Sequence, residues 1–389
     1  MQRELIVPRA GWQAEMERIG FRYHSVGGDG GSGTYWDESR CYRLTTAQID
    51  ELESATAEVH EMALNAAQHV VASGRFEEFA VAPPWRQVVA RSWQAHLDGR
   101  PEGVSLFGRM DFSYDGAGPP KLLEYNADTP TACLEASVAQ WHWLQAVHPD
   151  ADQFNSIHER LIDGWKRLRG ASRAQRLHFA AVDASEEDWG NLEYLRDTAI
   201  QAGWPTVALA IERIGFNGSA FVDEFNVPIE ALFKLYPWEW LAAEQFGPAL
   251  AQALGADRLQ VFEPPWKMLL SNKALLVVLW ELYPDHPNLL PAYYDADRLG
   301  TRYVRKPKLA REGANVVWVD GVVVESTPGD YGAEGSICQA LAPLPRFGDD
   351  YVLVGSWLID GTPAGIGLRE DDSRITRNTS RFVPHYFTD

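Results

Sequence analysis

Apolar positions recur at helical spacing over residues 45–73. Ile49, Leu52, Val59, Met62, Ala63 and Ala66 fall on one face of a helix that starts near Thr46. Pro83 and Pro84 interrupt the pattern, and residues 88–97 predict a second helix. The period then shortens. Residues 106–112 alternate as a strand, 115–120 carry turn residues (Asp115, Gly116, Gly118, Pro119, Pro120), and 121–126 return as a strand. A hairpin is the simplest reading of that order. Residues 131–147 go back to helical spacing through Ala132, Ala136, Ala139, Trp143 and Ala146.

From about 150 to 255, strand and helix alternate. Strands are expected at 178–182, 206–211 and 231–236, with helices at 191–202 and 239–254; Gly203 ends the first helix. That alternation predicts a layered unit with a partly parallel sheet. Beyond 256 a helix at 273–282 is followed mostly by strands, at 301–305, 314–319, 322–325, 351–358 and 365–369. The expected class is α/β (α+β). The expected division is an N-terminal part at 1–150 with the hairpin, an inserted α/β part at 151–255, and a C-terminal part at 256–389.

Composition narrows the classes. With 389 residues, 46% hydrophobic and 23% charged, the chain has the balance of a globular protein of two or three domains, or of one large composite domain. Its 35 basic and 54 acidic residues leave a formal charge of −19, which repels phosphate backbones and anionic membrane surfaces. Nucleic acid and membrane are therefore not expected partners. The apolar run at 274–280 is far short of the ~20 residues that span a bilayer. Cys41, Cys133 and Cys338 are scattered and form no CxxC pair. Together with a polar N-terminal stretch, they predict a cytoplasmic protein. The glycine run at 27–33 lacks the Lys and the helix start of a phosphate loop, and reads as a surface turn.

Candidate chemistry begins at the hairpin. Residues two apart on a strand share a face. Arg109 and Asp111 therefore lie together, as do Glu124 and Asn126. If the two faces register, Asp111, Glu124 and Asn126 form one oxygen-bearing patch with Arg109 beside it. Two carboxylates and an amide without His or Cys suit Mg²⁺, which fills its remaining positions with water and phosphate. A polar face closed by an Arg109 salt bridge is the competing reading.

Two lysines extend the pattern. Lys273 opens a helix and Lys306 ends a strand before Pro307, where a cation over phosphates is one reading and a solvated side chain the other. Gln339 lies in an apolar stretch where its amide needs a partner, and an adenine edge is one. Arg369 heads the cluster Arg369-Glu370-Asp371-Asp372, either a solvated strand end or a source of an arginine and a metal carboxylate.

Taken together, several motifs resemble the glutathionylspermidine synthase family, most of all its short bacterial acid–amine ligases. They are Arg109-Met110-Asp111-Phe112, Glu124-Tyr125-Asn126-Ala127-Asp128, Ser271-Asn272-Lys273, Lys306-Pro307, Arg369-Glu370-Asp371-Asp372 and Thr379-Ser380-Arg381-Phe382-Val383-Pro384-His385. The resemblance runs from near residue 10 to the C-terminus. It implies an ATP-grasp-like fold and ATP-dependent amide formation through an acyl phosphate. By motif, Asp111, Glu124 and Asn126 would hold Mg²⁺, and Lys273, Lys306 and Gln339 would hold ATP. Arg109 and Arg369 would steady the acyl phosphate. The implied partners are a small-molecule acid and amine, with peptide and polyamine as candidate classes.

Two positions depart from the family pattern. Leu235, in Lys234-Leu235-Tyr236-Pro237-Trp238-Glu239, stands where a threonine associated with glutathione is usual. The lid reads Ala310-Arg311-Glu312-Gly313 in place of Gly-Arg-x-Gly. Both point away from glutathione as the acid. A nucleotide-binding protein without ligase turnover remains the alternative, separated by phosphate release on adding acid and amine.

Overall fold

The two ends of the chain meet in one small sheet. Gln2–Leu5 pairs antiparallel with Arg40–Thr45, which runs parallel to His385–Thr388. This computed structural model describes residues 1–25, 35–378 and 380–389. The glycine run at 27–33 and Thr379 lie outside the described residues.

The long helix forms as Thr46–Ser73, with its buried face at Ile49, Leu52, Val59, Ala63, Ala66 and Val70. Thr45 and Gln48 satisfy its first amides as a capping box, and Gly74 ends it at φ 73°. The helix lies on the central antiparallel sheet. That sheet runs Arg381–Val383, Thr362–Asp371, Asp350–Ile359, Phe107–Ser113 and Lys121–Asn126, with Arg346–Phe347 paired to one end of Asp350–Ile359. The N-terminal hairpin and the C-terminal strands are therefore neighbours in one sheet, though more than two hundred residues separate them in sequence.

A four-stranded parallel sheet stands beside it, ordered Gln260–Phe262, Ala231–Leu235, Leu177–Ala181 and Thr206–Ala210. Its fourth strand lies past residue 255. Leu177–Ala181 and Ala231–Leu235 are buried at every position, as fits strands covered on both faces. Helices Ile157–Ala171 and Glu186–Gln201 cover one side, where Trp165 packs edge-on against Phe179, Phe233 and Phe262. A five-stranded sheet is antiparallel, ordered Ala292–Tyr293, Ser336–Ala340, Arg302–Pro307, Val317–Asp320 and Val322–Ser326.

Several sequence expectations shift. Pro83 and Pro84 open the helix Pro83–Leu97, where the missing N–H costs nothing, so it starts five residues before the expected 88, and the helix expected at 191–202 already begins at Glu186. The helix expected over 239–254 is two helices, Trp238–Ala243 and Gly247–Gly255. Pro248 has no N–H to continue the first, and its ring collides with the carbonyl four residues back. Helical structure begins at 133, not 131, with a π-turn at Glu135–Ala139 before Gln140–Val147. Ala132 sits at φ 68°, a left-handed residue that separates the helix from the loop before it. The strand expected from 314 starts at Val317, because residues 308–316 form a loop.

Candidate active site

The hairpin register decides the chemistry. Asp111 pairs with Glu124 and Arg109 with Asn126, so all four side chains share one face. A bulge follows Asp111 and leaves the register on the side-chain patch intact. The Asn126 amide donates to Glu124 at 2.9 Å and to Asp111 at 3.3 Å, spacing the two carboxylates. Arg109 grips Asp111 with both arms, at 2.6 and 3.0 Å, and donates to the Thr131 carbonyl at 2.8 Å. The expected salt bridge and the expected oxygen patch are thus the same structure.

Arg109 lies flat across the sheet because its neighbour has no side chain. Gly355 is opposite Asp111 in the adjacent strand, and a Cβ there would sit 2.9 Å from Arg109 Cδ. From the far side Arg369 reaches Asp111 at 3.4 Å. Strand alternation sends Glu370 to the other face, where Arg3, Arg40, Tyr42 and Arg381 surround it. Asp371 is held by Arg377, Ser380 and the Ser373 amide. The Arg369 cluster therefore brings an arginine to the site, while its carboxylates at 370 and 371 are structural.

The Ser271-Asn272-Lys273 motif anchors the next cation. Ser271 Oγ accepts the Ala127 amide at 3.1 Å, tying this turn to the hairpin's exit, and Asn272 Oδ1 accepts the Ala274 amide at 2.9 Å, at the first residue of the helix Ala274–Leu282. Lys273 Nζ is thereby placed 3.0 Å from Glu124 and 2.6 Å from the Ala310 carbonyl. Lys306, on its own strand, donates to the Leu123 carbonyl at 2.9 Å and to Gln339 at 2.8 Å. Gln339 passes its amide nitrogen to the Leu122 carbonyl at 3.0 Å. The polar partners of Gln339 are therefore Lys306 and the hairpin backbone.

Electrostatics follow from this packing. Burial alone would raise the Glu124 carboxyl, but Lys273, Lys306 and the Asn126 hydrogen bond hold it well below the usual carboxylate range. Burial lowers the Lys306 ammonium to about 8, with Glu124 opposing the shift. Burial also works against the Arg109 charge, and Asp111 outweighs it. Glu124 is therefore ionised at neutral pH.

All eight candidate residues line one solvent-open cleft between the central, the parallel and the five-stranded sheets. Arg109, Arg369, Lys273 and Lys306 face Asp111 and Glu124 in it, an excess of cations in a protein of charge −19. Such a cleft attracts a polyanion. The oxygen-only donor set of Asp111, Glu124 and Asn126 fits a hard divalent cation. Among the described residues no group of three His, Cys, Asp or Glu side chains gathers, so a cation here would rely on water and phosphate for its other ligands.

The structure adds cleft residues beyond the eight candidates. Arg311 lines the cleft from the loop at 308–313, donating to Thr129 at 2.7 Å and Glu239 at 3.1 Å. Leu235, Tyr236 and Trp240 form an apolar wall, with Asp188 nearby in the same cleft. Behind them Lys234 and Asp128 make a buried pair at 2.6 Å. A lysine inside the apolar strand Ala231–Leu235 was the available signal, since lysines are rarely buried without a partner.

Known proteins resemble this chain along most of its length. The family model described as glutathionylspermidine synthase preATP-grasp matches residues 3–388. The chain is 42% identical over 388 residues to a Haemophilus influenzae protein with the provisional name acid–amine ligase, covering 96% of each. It is 30% identical over 306 residues to the trypanothione synthetase of Crithidia fasciculata, covering 72% of this chain and 46% of that protein. It is 26% identical over 378 residues to the bifunctional glutathionylspermidine synthetase/amidase of Escherichia coli, covering 90% of this chain and 59% of that one. The chain thus spans nearly all of the first relative and about half of the longer two. Among solved structures, a glutathione synthetase-like effector from Globodera pallida superposes with a TM-score of 0.54 at 9% identity, covering 97% and 96% of the two chains. That likeness is one of fold, and the fold is the mixed α/β, ATP-grasp-like class. A match from residue 3 to 388 and a near-full-length relative at 42% identity establish that the chain belongs to the glutathionylspermidine synthase family.

Proposed function

We propose that the chain is an ATP- and Mg²⁺-dependent acid–amine ligase that forms an amide through an acyl phosphate. The observation that carries this reading is the cleft in which four cations face the side chains of Asp111 and Glu124. ATP supplies the polyanion that such a cleft attracts. Lys273 and Lys306 would bind its phosphates, and Gln339 would orient Lys306 through their 2.8 Å hydrogen bond. Asp111, Glu124 and Asn126 would hold Mg²⁺, which supplies charge neutralisation between phosphates and hairpin.

A carboxylate oxygen attacking a phosphoryl group brings two anions together. Arg109 and Arg369, both on Asp111, sit at the cleft floor where they would receive the transferred phosphoryl oxygens and relieve that repulsion. An amine would then displace phosphate to leave the amide. The names of the relatives support a small-molecule acid and amine, with a peptide and a polyamine as the nearest classes. The absence of a hydroxyl at Leu235 favours an acid other than glutathione.

The test is phosphate and ADP release with ATP and Mg²⁺, on adding acids with and without amines. Sustained release that needs both acid and amine is the expected result. Nucleotide binding with no release from any pair in a broad panel would leave a binding protein without turnover. Release that needs the acceptor alone, with a phosphorylated product, would indicate simple phosphotransfer.

A further inference from the structure

Asp128 lies where three segments of the chain meet. It leaves the hairpin two residues after Asn126 and is 1% exposed. Its Oδ1 accepts from Lys234 Nζ at 2.6 Å, and its Oδ2 accepts from the Trp238 amide at 3.0 Å. Lys234 itself is fully buried, with Nζ 4.5 Å from the centre of the Trp238 ring. Both partners belong to the parallel sheet and the helix that follows it. The third neighbour comes from elsewhere: Arg311 Nη2 is 3.8 Å from Asp128 Oδ2.

Arg311 is held from several sides at once. Glu239 takes its Nε and Thr129 its Nη1, while Asp128 supplies the buried negative charge behind them. The loop that carries it is tied down at its other end too, since Lys273 binds the Ala310 carbonyl through its side chain and the Lys308 carbonyl through its amide. Lys234 alone would neutralise Asp128. The placement of a second cation on the same carboxylate, from a cleft-lining loop, calls for a different account. Two anions, Asp128 and Glu239, face two cations, Lys234 and Arg311, and the geometry of the buried pair fixes where the guanidinium can rest.

We propose that Asp128 is a positioning residue: through its buried pair with Lys234 it sets Arg311, and with it the loop at 308–313, over the cleft. This rests on the ligase reading, in which a guanidinium at that edge neutralises the reacting anions. Asp128 itself lies behind the cleft and acts through Arg311.

The test uses the full chain and three variants. Asp128→Asn combined with Lys234→Met removes both buried charges together, which proteins tolerate better than the loss of one, and Asn keeps an acceptor for the Trp238 amide. With the best acid–amine pair, kcat is expected to fall about tenfold or more while the KM for ATP stays within about threefold. Limited trypsin digestion of the protein alone should cut after Arg311 about tenfold faster, with other cuts unchanged. Lys234→Met by itself has the opposite sign, because Asp128 then has Arg311 as its one cation, so cutting after Arg311 slows. Asp128→Asn by itself carries the test if the double variant does not fold, since a buried lysine left without its counter-charge can release its proton; cutting after Arg311 should again be about tenfold faster, and unchanged cutting there overturns the proposal. Unchanged kcat and unchanged cutting after Arg311 in the double variant overturn the proposal, as does faster or unchanged cutting in Lys234→Met. If the wild-type chain releases no phosphate with any pair, the ligase reading fails, while the trypsin results still decide the role of Asp128.

Discussion

Lys273 Nζ lies 3.0 Å from Glu124 and 2.6 Å from the Ala310 carbonyl, so one ammonium joins the carboxylate hairpin to the loop over the cleft. The hairpin, the helix start and the loop come from three distant stretches of sequence. Glu124 meets that ammonium there and also feels the charge of Lys306, and two of the predictions below act on Glu124 and Lys306.

Glu124 is the first residue to remove. It receives Lys273 and the Asn126 amide and is kept ionised by Lys273 and Lys306. Glu124→Ala should leave circular dichroism unchanged, because the side chain lies at the cleft surface, and should lower phosphate release by about a thousandfold. Activity within about tenfold of wild type would show that Glu124 has no part in binding the metal and phosphates.

Lys306 gives the site a pH signature. Burial brings its ammonium down from 10.5 to about 8, so it carries charge below that pH and loses it above. The folded value is the depressed one, so charged Lys306 costs stability below about 8, and the cost vanishes as pH passes the ordinary lysine value. Phosphate binding has the opposite dependence, since it needs the charge. Calorimetric affinity for Mg-ATP should therefore weaken between about pH 7 and 9.5, and Lys306→Arg should remove that dependence because guanidinium stays charged. An equal slope in wild type and Lys306→Arg would assign the titration elsewhere.

Gly355 tests the floor of the cleft without replacing a charged group. A Cβ there would meet Arg109 Cδ at 2.9 Å, and Arg109 is pinned at both ends by Asp111 and Thr131. Gly355→Ala should displace the guanidinium and lower kcat by about tenfold, while the melting temperature moves by only a few degrees. A full-speed Gly355→Ala enzyme would mean that the exact lie of Arg109 is unimportant to turnover.

Leu235 bears on the acid. It is 3% exposed at the end of its strand and lines the cleft beside Tyr236 and Trp240. A polar substrate group facing this wall loses a hydrogen bond, a loss worth roughly 1–3 kcal/mol. Glutathione with spermidine should therefore be a poor pair, and Leu235→Thr should improve it relative to other acids in steady-state kinetics. If the wild-type chain handles glutathione and spermidine best, at roughly 10⁴ M⁻¹ s⁻¹ or more, the argument from Leu235 is wrong.

Much of this was legible in the order of residues. The long helix ends at Ser73 as its apolar spacing predicts, because Gly74 can adopt the left-handed conformation that closes it. The return strand Lys121–Asn126 matches its expected bounds, since the Gly- and Pro-rich turn leaves few alternatives. Period two along each strand already placed Arg109 with Asp111 and Glu124 with Asn126. The break before Gly247 was equally local, readable from Pro248, although the apolar spacing alone suggested one continuous helix.

What the sequence determined by itself was therefore local: the elements, the faces of the hairpin strands and the acidic character of the surface. These depend on neighbours along the chain and on a period. The tertiary structure decided which distant groups share one space. It brought Lys273 to Glu124 and Arg369 to Asp111, turned Glu370 away into an arginine cluster, and placed Asp128 between Lys234 and Arg311. Such contacts span more than a hundred residues, and no spacing rule carries over that distance. They follow from the register of the sheets and from the need of every buried charge for a partner, conditions met only once the whole chain is folded.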